Sequence, residues 1–583
     1  MRGSYLEEIK VNEKKLTAKE ILITAWELTK RYWKSEEKVF AWLLLVAIIA
    51  MNLAMVYLSV QITHWYNDFY TVMQDAQYDT FFKVIGKFAI MAFVFIVIAV
   101  YEVYVRQLLT IKWRTWMTNR YLDRWMSKQV YYRMKVIDSD LDNPDQRIAT
   151  DIGNFISYIM TVGIDLINQI VTLVAFVSVL WTLSGVLDFS LFGKNMHIHG
   201  YMVYVSLIYS VVGTVLVTVV GKKLVHLNFV QEKVEADFRF SMIRVRENAE
   251  SIAFYNGEKP EIKNFKEAFS YVINNYRALM RQYLGLNYYM NGYAQLAVIF
   301  PMVMAAPQLF AGAMALGGFM EVLSAFGNVQ DALSYIVNNF DSLSDLIATI
   351  QRLGGFVGNI EEVENLPERF SKVDSDEETV EFKNINVVLP SGKVILPDFN
   401  FSLKKGESLL IAGESGCGKS TLLRVLSGIW PYGEGELQKP GDWNTLFLPQ
   451  RPYLPLGSLI SAIYYPQEVP EEVSPEIVEM MERVGIDGLK DRLNDIDDWS
   501  RILSLGEQQR LQFLRVFLMK PDIIFLDEST SSLDEENEEN AYKYLKERLP
   551  DSVIISVGHR KRLVEFHDRK ITLLKGGLFE INK

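Results

Sequence analysis

The sequence holds a single cysteine, Cys417, in 583 residues. No intrachain disulfide can form, which excludes an extracellular fold stapled by bridges. A surplus of positive charge is also missing: 60 Lys+Arg stand against 71 Asp+Glu, a net charge of −11. The deficit lies in residues 356–583, with 27 basic against 40 acidic side chains, leaving 33 against 31 before them. Such an acidic segment repels phosphates, so no nucleic-acid partner is expected. The first 20 residues lack the apolar core of a cleavable signal peptide. Disorder and collagen are excluded because half of the residues are hydrophobic. The length exceeds what one core organises, so at least two domains are expected.

What the first part does have is long stretches without charge. Val39 to Thr63 is 25 uncharged residues, and ~20 apolar residues suffice to cross a bilayer core. Further runs cover Phe88–Val100, Leu166–Leu187, Asn195–Gly221 and the 39 residues Gln282–Met320. Five membrane spans are expected from these. A sixth is expected from Phe326, where Val329, Leu333, Ile336, Val337, Phe340, Leu343, Ile347 and Ile350 repeat on one helical face. Asn328, Asp331, Asn338, Asn339, Asp341 and Asp345 lie between them, which suits a wet pathway rather than lipid. One helix from Met320 to Leu353 would run ~50 Å, beyond the ~30 Å hydrocarbon layer and into the cytoplasm. The alternative is a soluble amphipathic helix following the fifth span.

Basic residues set the orientation. Gln61–Phe82 has no Lys or Arg, whereas Val105–Lys135 has eight and one acid, Asp123. The positive-inside rule then puts both termini and the segments near 105–150 and 222–280 in the cytoplasm. Asp68, Asp75 and Asp79 would favour cationic solutes at the outer mouth, unless they are merely a solvated loop. The expected organisation is a membrane domain over 1–355, an acidic linker at 356–379 and an α/β domain over 380–583.

The α/β domain carries the chemistry. The strand Leu409-Leu410-Ile411-Ala412 leads into Gly413-Glu414-Ser415-Gly416-Cys417-Gly418-Lys419-Ser420-Thr421 and an apolar helical run. This is G-x-x-x-x-G-K-[ST] in its strand–helix context. Glycines let backbone N–H groups curl around phosphates, Lys419 reaches the β- and γ-phosphates, and Ser420 the Mg²⁺ ion. Ile523-Ile524-Phe525-Leu526-Asp527-Glu528 reads as a buried strand ending in two acids, Asp527 for the magnesium shell and Glu528 to polarise the attacking water. His559, at the end of the strand Val553–Val557, could bond the γ-phosphate.

Leu503-Ser504-Leu505-Gly506-Glu507-Gln508-Gln509-Arg510 resembles the LSGGQ signature of ATP-binding cassette (ABC) proteins. Gln450 matches that family's Q-loop, and Ser531-Ser532-Leu533-Asp534 its D-loop. In the membrane part, Leu141–Ile148 and Glu250–Tyr255 resemble loop motifs of ABC subfamily D and its bacterial SbmA/BacA-like relatives. The resemblance implies a six-helix, all-α transmembrane domain followed by an α/β P-loop ATPase. It implies ATP and Mg²⁺ as cofactors, a homodimer in a lipid bilayer, and a small solute or peptide as cargo. Catalytic roles fall to Glu528, His559 and Gln450, the last also serving the metal with Ser420 and Asp527. Nucleotide contacts fall to residues 413–421 and, from the partner, to Ser504, Gly506, Glu507 and Asp534. The segments Asp142–Ile148 and Glu250–Glu258 are expected to transmit cassette closure to the membrane helices.

Two positions depart from the family pattern. Leu505 replaces the signature's first glycine, so slower hydrolysis is expected. Leu389 stands where many relatives stack an aromatic ring on adenine, so loose base selectivity is expected. ATP-driven transport is the leading reading; an ATP-gated channel or regulatory subunit is the rival, and the intact Glu528 opposes it. A hydrophilic cargo, peptide or cobalamin-like, is expected ahead of a lipid or acyl-CoA. No peroxisomal ending is present, since the chain stops Glu580-Ile581-Asn582-Lys583, and a bacterial inner membrane is expected.

Overall fold

The computed structural model describes residues 17–137, 143–191, 194–367, 369–574 and 579–582. It forms two compact units: Met1–Leu122 with Asn143–Val357, and Asp123–Asp142 with Gly358–Lys583.

The first unit is a helical bundle. Thr17 caps the opening helix Ala18–Trp33, exchanging hydrogen bonds with Glu20 in a capping box. Among the described residues, four helical stretches are long and apolar enough to cross a membrane: Lys38–Gln74, Tyr78–Ile137, which breaks after Met126, Pro144–Leu183 and Glu258–Phe310. A shorter apolar stretch, Tyr201–Val217, opens the helix Tyr201–Glu247. Their apolar surface faces outward: Ile90, Phe93 and Ile96 are exposed, as only lipid would tolerate over such a length. Inside, Phe176, Leu180, Met202, Ala305, Val322, Phe326 and Val329 pack as one core. The helix Leu316–Asn338 supplies much of it and packs on the helices starting at Lys38, Ile164 and Tyr201.

The uncharged runs and the helices do not coincide everywhere. Asn195–Gly221 begins in a strand, because Val186–Leu191 and Lys194–His199 form an antiparallel hairpin before the helix starts at Tyr201. Gln282–Met320 is not one span: the helix ends at Phe310, Gly312 takes a φ of +72°, and a new helix starts at Leu316. Hydropathy alone cannot place that turn, since its residues are as uncharged as their neighbours. The single helix expected from Met320 to Leu353 is divided into Leu316–Asn338 and Phe340–Glu364. The division falls on Asn338-Asn339, and the Asn339 amide bonds back to the Tyr335 carbonyl at 3.0 Å, a competition that weakens helices.

The second unit contains the α/β fold. Its main sheet runs in the order Phe579–Asn582, Arg569–Leu573, Ser408–Gly413, Val553–Val557, Ile523–Asp527, Thr445–Leu448, parallel except at the first edge. The central strands are buried on both faces, so they read as unbroken apolar runs. A second, mostly antiparallel sheet joins Phe370–Asp374, Glu434–Lys439, Thr379–Val388 and Val394–Lys404. The acidic stretch 356–379 holds regular structure, with helix to Glu364 and a strand from Phe370. Segment 123–137 also belongs to this unit. Lys128 and Gln129 both take left-handed backbone there, turning the chain into the helix Val130–Ile137. Arg124 grips the Glu364 carboxylate with two hydrogen bonds of 2.6 and 3.1 Å.

Candidate nucleotide site and membrane polar pairs

The loop after Ser408–Gly413 is shaped by backbone that other residues resist. Gly413, Gly416 and Gly418 have φ of +149°, +80° and +101°. A side chain at Gly413 would lie 2.6 Å from the Leu573 carbonyl, and one at Gly418 would lie 2.7 Å from Ile395. Within this loop the Cys417 N–H donates to the Glu414 carbonyl at 3.4 Å, and Cys417 is half-buried. The helix Lys419–Leu426 begins directly at its end, presenting N-terminal N–H groups and partial positive charge. Lys419 is only 6% exposed, and its ammonium donates to the Gly413 and Glu414 carbonyls at 3.0 and 2.9 Å. Ser420 donates to Asp527 at 2.9 Å. Burial pushes the Asp527 carboxyl above its ordinary range, while the Ser420 hydroxyl and Arg424 hold it back. A hydroxyl beside a carboxylate is a hard-oxygen donor set that fits Mg²⁺.

Three loops meet at Glu528. It follows the strand Ile523–Asp527 with a φ of +47°, a conformation costing on the order of 1–3 kcal/mol for a non-glycine residue. Its N–H donates to the Val557 carbonyl at 3.1 Å. Its carboxylate accepts from the Gln450 amide at 3.0 Å and lies 3.1 Å from His559 Nε2. Glutamine and histidine, separated widely in sequence, thus each come within hydrogen-bond reach of the Glu528 carboxylate.

The signature residues serve first as a helix start. Ser504 caps Leu505–Met519, and Glu507 returns the bond to the Ser504 N–H at 2.9 Å. The Ser504 hydroxyl holds the Glu507 carboxyl below its ordinary range. Leu505 is partly exposed at the first helical position. Asp534 caps Glu535–Arg548, accepting from the Asn537 N–H at 2.8 Å. That bond likewise holds its carboxyl low.

Sequence reading passed over Gln509, Gln512, Glu538 and Arg560. Gln509 bonds the Gln450 carbonyl, and Gln512 bonds the Pro449 carbonyl at 3.3 Å. Their spacing of three, on the same face as Val516, was a usable signal: amides on a buried helical face need partners.

The membrane bundle has its own polar pairs. Glu321, 1% exposed, pairs with His64, and Thr63 bonds Ser324 at 3.1 Å. Glu102 takes bonds from Asn52 at 3.2 Å and Arg106 at 2.6 Å, and Arg106 also reaches Asp165 at 2.9 Å. Asp151 receives both Arg147 and Arg352, the latter through two bonds of 3.0 Å. Of the polar positions expected on the sixth helix, Asp331 is exposed and Asp345 accepts from Tyr158 at 3.2 Å. The side chains of Asn338 and Asp341 fall outside the described residues. Asp68 is not a bare outer charge: it is helical and paired with Lys87 at 3.0 Å.

Comparison with known proteins shows the family. Residues 28–310 match the model for ABC transporter transmembrane region 2, and residues 396–531 that for ABC transporter. An uncharacterised ABC transporter ATP-binding protein of Haemophilus influenzae is 36% identical, covering 95% of this chain and 93% of its own length. The inner membrane ABC transporter ATP-binding protein YddA of Escherichia coli is 33% identical over 91% of this chain and 94% of its own. The human lysosomal cobalamin transporter ABCD4 is 29% identical, with 81% and 82% covered. The chain belongs to the ABC transporter family, with its membrane region and its ATP-binding domain in one polypeptide. It is a membrane-embedded ATPase that couples ATP hydrolysis, with Mg²⁺ as the partner ion, to transport.

Proposed function

We propose that two copies of this chain form a homodimer in a bacterial inner membrane, both termini cytoplasmic, and move a hydrophilic solute. The convergence of Gln450, Glu528 and His559 beside the Lys419 loop carries this reading. Lys419 and the N–H groups of residues 413–421 hold the phosphates of ATP, with Ser420, Asp527 and Gln450 as the magnesium donors. Mg²⁺, when bound, neutralises phosphate charge. Glu528 accepts the proton of the attacking water, and Gln450 and His559 fix its carboxylate. Ser504, Gly506, Glu507 and Asp534 act on the partner's nucleotide, which makes two copies necessary. Closure around two ATP molecules, relayed through segments 142–148 and 250–258, opens the bundle to alternate sides of the membrane.

The cargo follows from the bundle interior. Asn52, Glu102, Arg106 and Asp165 are polar groups on spanning helices, costly unless they serve passage or specific packing. Cobalamin-like molecules and peptides are the classes to try first, the former because the human relative is named for cobalamin. The test is reconstitution in vesicles with ATP on one side, measuring cobalamin and peptide flux and solute-stimulated hydrolysis. Stimulation by acyl-CoA with none by peptide or cobalamin would overturn the hydrophilic assignment. A stable monomer in nanodiscs with ATP and Mg²⁺ would overturn the dimer.

A further inference from the structure

The loop Ser531–Asp534 is touched from both the signature helix and the residue after His559. On one side stands Gln509, fully buried on Leu505–Met519. Its carbonyl accepts the Ser532 N–H at 2.9 Å, and its amide donates to the Gln450 carbonyl at 3.0 Å and the Ser531 hydroxyl at 3.3 Å. Three residues earlier, a side chain on Gly506 would lie 3.1 Å from the Ser532 carbonyl, so the helix meets the loop at two points. On the other side stands Arg560, next to His559. Its guanidinium donates to the carbonyls of Leu533 at 2.8 Å and Ser531 at 3.3 Å, and to Glu538 at 3.1 Å. Glu538 is buried and also accepts from Thr530 at 2.5 Å. The loop itself is tied to Glu528, whose carbonyl accepts the Ser531 N–H at 3.0 Å.

We propose that Gln509 and Arg560 are positioning residues that clamp the Ser531–Asp534 loop between the signature helix and His559. The inference rests on the nucleotide-site reading of Gln450, Glu528 and His559. A shift of His559 carries Arg560 and hence the loop; a shift of the loop pulls on Gln509 and the Gln450 backbone. The signature of one copy thereby responds to the γ-phosphate end of its own site. Packing alone would not explain the pattern. Gln509 uses its carbonyl and both amide hydrogens on three separate loop atoms, and Arg560 spans two carbonyls and a carboxylate as only a planar fork can.

The test uses the full-length chain in nanodiscs, with Gln509→Met, Arg560→Met, the double variant and Glu528→Gln. Three quantities are measured: kcat and KM for ATP, affinity for a fluorescent ATP analogue, and Tm. Each clamp variant is expected to lower kcat at least tenfold with analogue affinity within twofold, alongside a lower Tm because buried Glu538 or the Ser532 N–H is left unpaired. The double variant is expected to be no slower than the worse single one, since both belong to one device. Wild-type kcat in the folded fraction with only Tm lowered, or multiplying losses in the double variant, would overturn the clamp. If Gln509→Met does not fold, the more exposed Arg560→Met decides, because losing its fork should lower kcat without touching the phosphate loop. Normal turnover in Glu528→Gln would sink the site reading itself; a silent Glu528→Gln beside fully active clamp variants would sink the clamp alone.

Discussion

The two units are held together by opposite means, and the contrast decides how each can be damaged. In the cassette unit, the candidate site is gathered at one end of a scaffold: a nine-residue segment, a strand end and a histidine converge through a parallel sheet whose strands are buried on both faces. In the bundle, the decisive pairings join residues 257 and 261 apart, His64 with Glu321 and Thr63 with Ser324. A substitution in the first should therefore stop chemistry with the fold intact. One in the second should loosen the fold first.

The largest expected effect tests the first half of that statement. Glu528→Gln keeps the shape and the Gln450 contact but loses the base, so kcat should fall about 10²–10⁴-fold while ATP affinity is retained. Single-turnover hydrolysis and equilibrium binding on the same sample check it, and a parallel loss of both would break the contrast. Its counterpart in the bundle is Asp151→Ala, which leaves the arginines Arg147 and Arg352 without their shared carboxylate. Removing one partner of a buried pair costs about 3–5 kcal/mol, so thermal stability should drop markedly, with Asp151→Asn milder. An unchanged Tm would show that this junction is not structural.

The same contrast explains what could be read from the residues alone. The strand, glycine-rich loop and helix around Lys419 were legible because glycine and lysine at fixed spacing mark such a loop whatever surrounds them, and the strand before Glu528 because a buried parallel strand is an unbroken apolar run; Gln450 stood out only by its resemblance to the ABC Q-loop. Membrane-type helices were legible because lipid demands unbroken apolar length. The turn at Ala311–Ala315 was not, since a turn among uncharged residues leaves hydropathy untouched. The pairing of Asp68 with Lys87 was hidden as well, because charge counts along a loop say nothing about which helix lies opposite. Gln509 stood in the signature without a role and Arg560 was not singled out, as their partners are mostly backbone atoms of distant loops.

A third expectation concerns stability in the cassette unit. His567 is held between the Leu563 carbonyl at 2.7 Å and the Ser556 hydroxyl at 2.8 Å, and burial lowers its pKa from 6.5 to about 4. The unfolded chain therefore binds this proton more readily than the folded one. Its contribution is fully present above pH 6.5 and is lost as pH falls toward 4, a difference of about 3 kcal/mol by the linkage relation. Tm followed from pH 7.5 to 4 should decline through that window, less so in His567→Gln. An identical decline in both proteins would assign the acid sensitivity elsewhere, the bundle included.

The smallest effect concerns which base the cassette prefers. Leu389 sits at a hairpin, its N–H bonded to the Lys393 carbonyl at 2.9 Å, and nearby Ile395 lies against the Gly418 end of the phosphate loop. A leucine there offers an apolar surface without a π face, and aromatic stacking is worth about 0.5–1.5 kcal/mol beyond burial. GTP should therefore sustain a substantial share of the ATPase rate. Leu389→Tyr should lower KM for ATP by about threefold, with kcat unchanged because the ring acts on bound ground state and transition state alike. Strict ATP preference in the wild-type protein would mean that base recognition comes from another group, and a rise in kcat in Leu389→Tyr would mean that this hairpin also positions the phosphate loop.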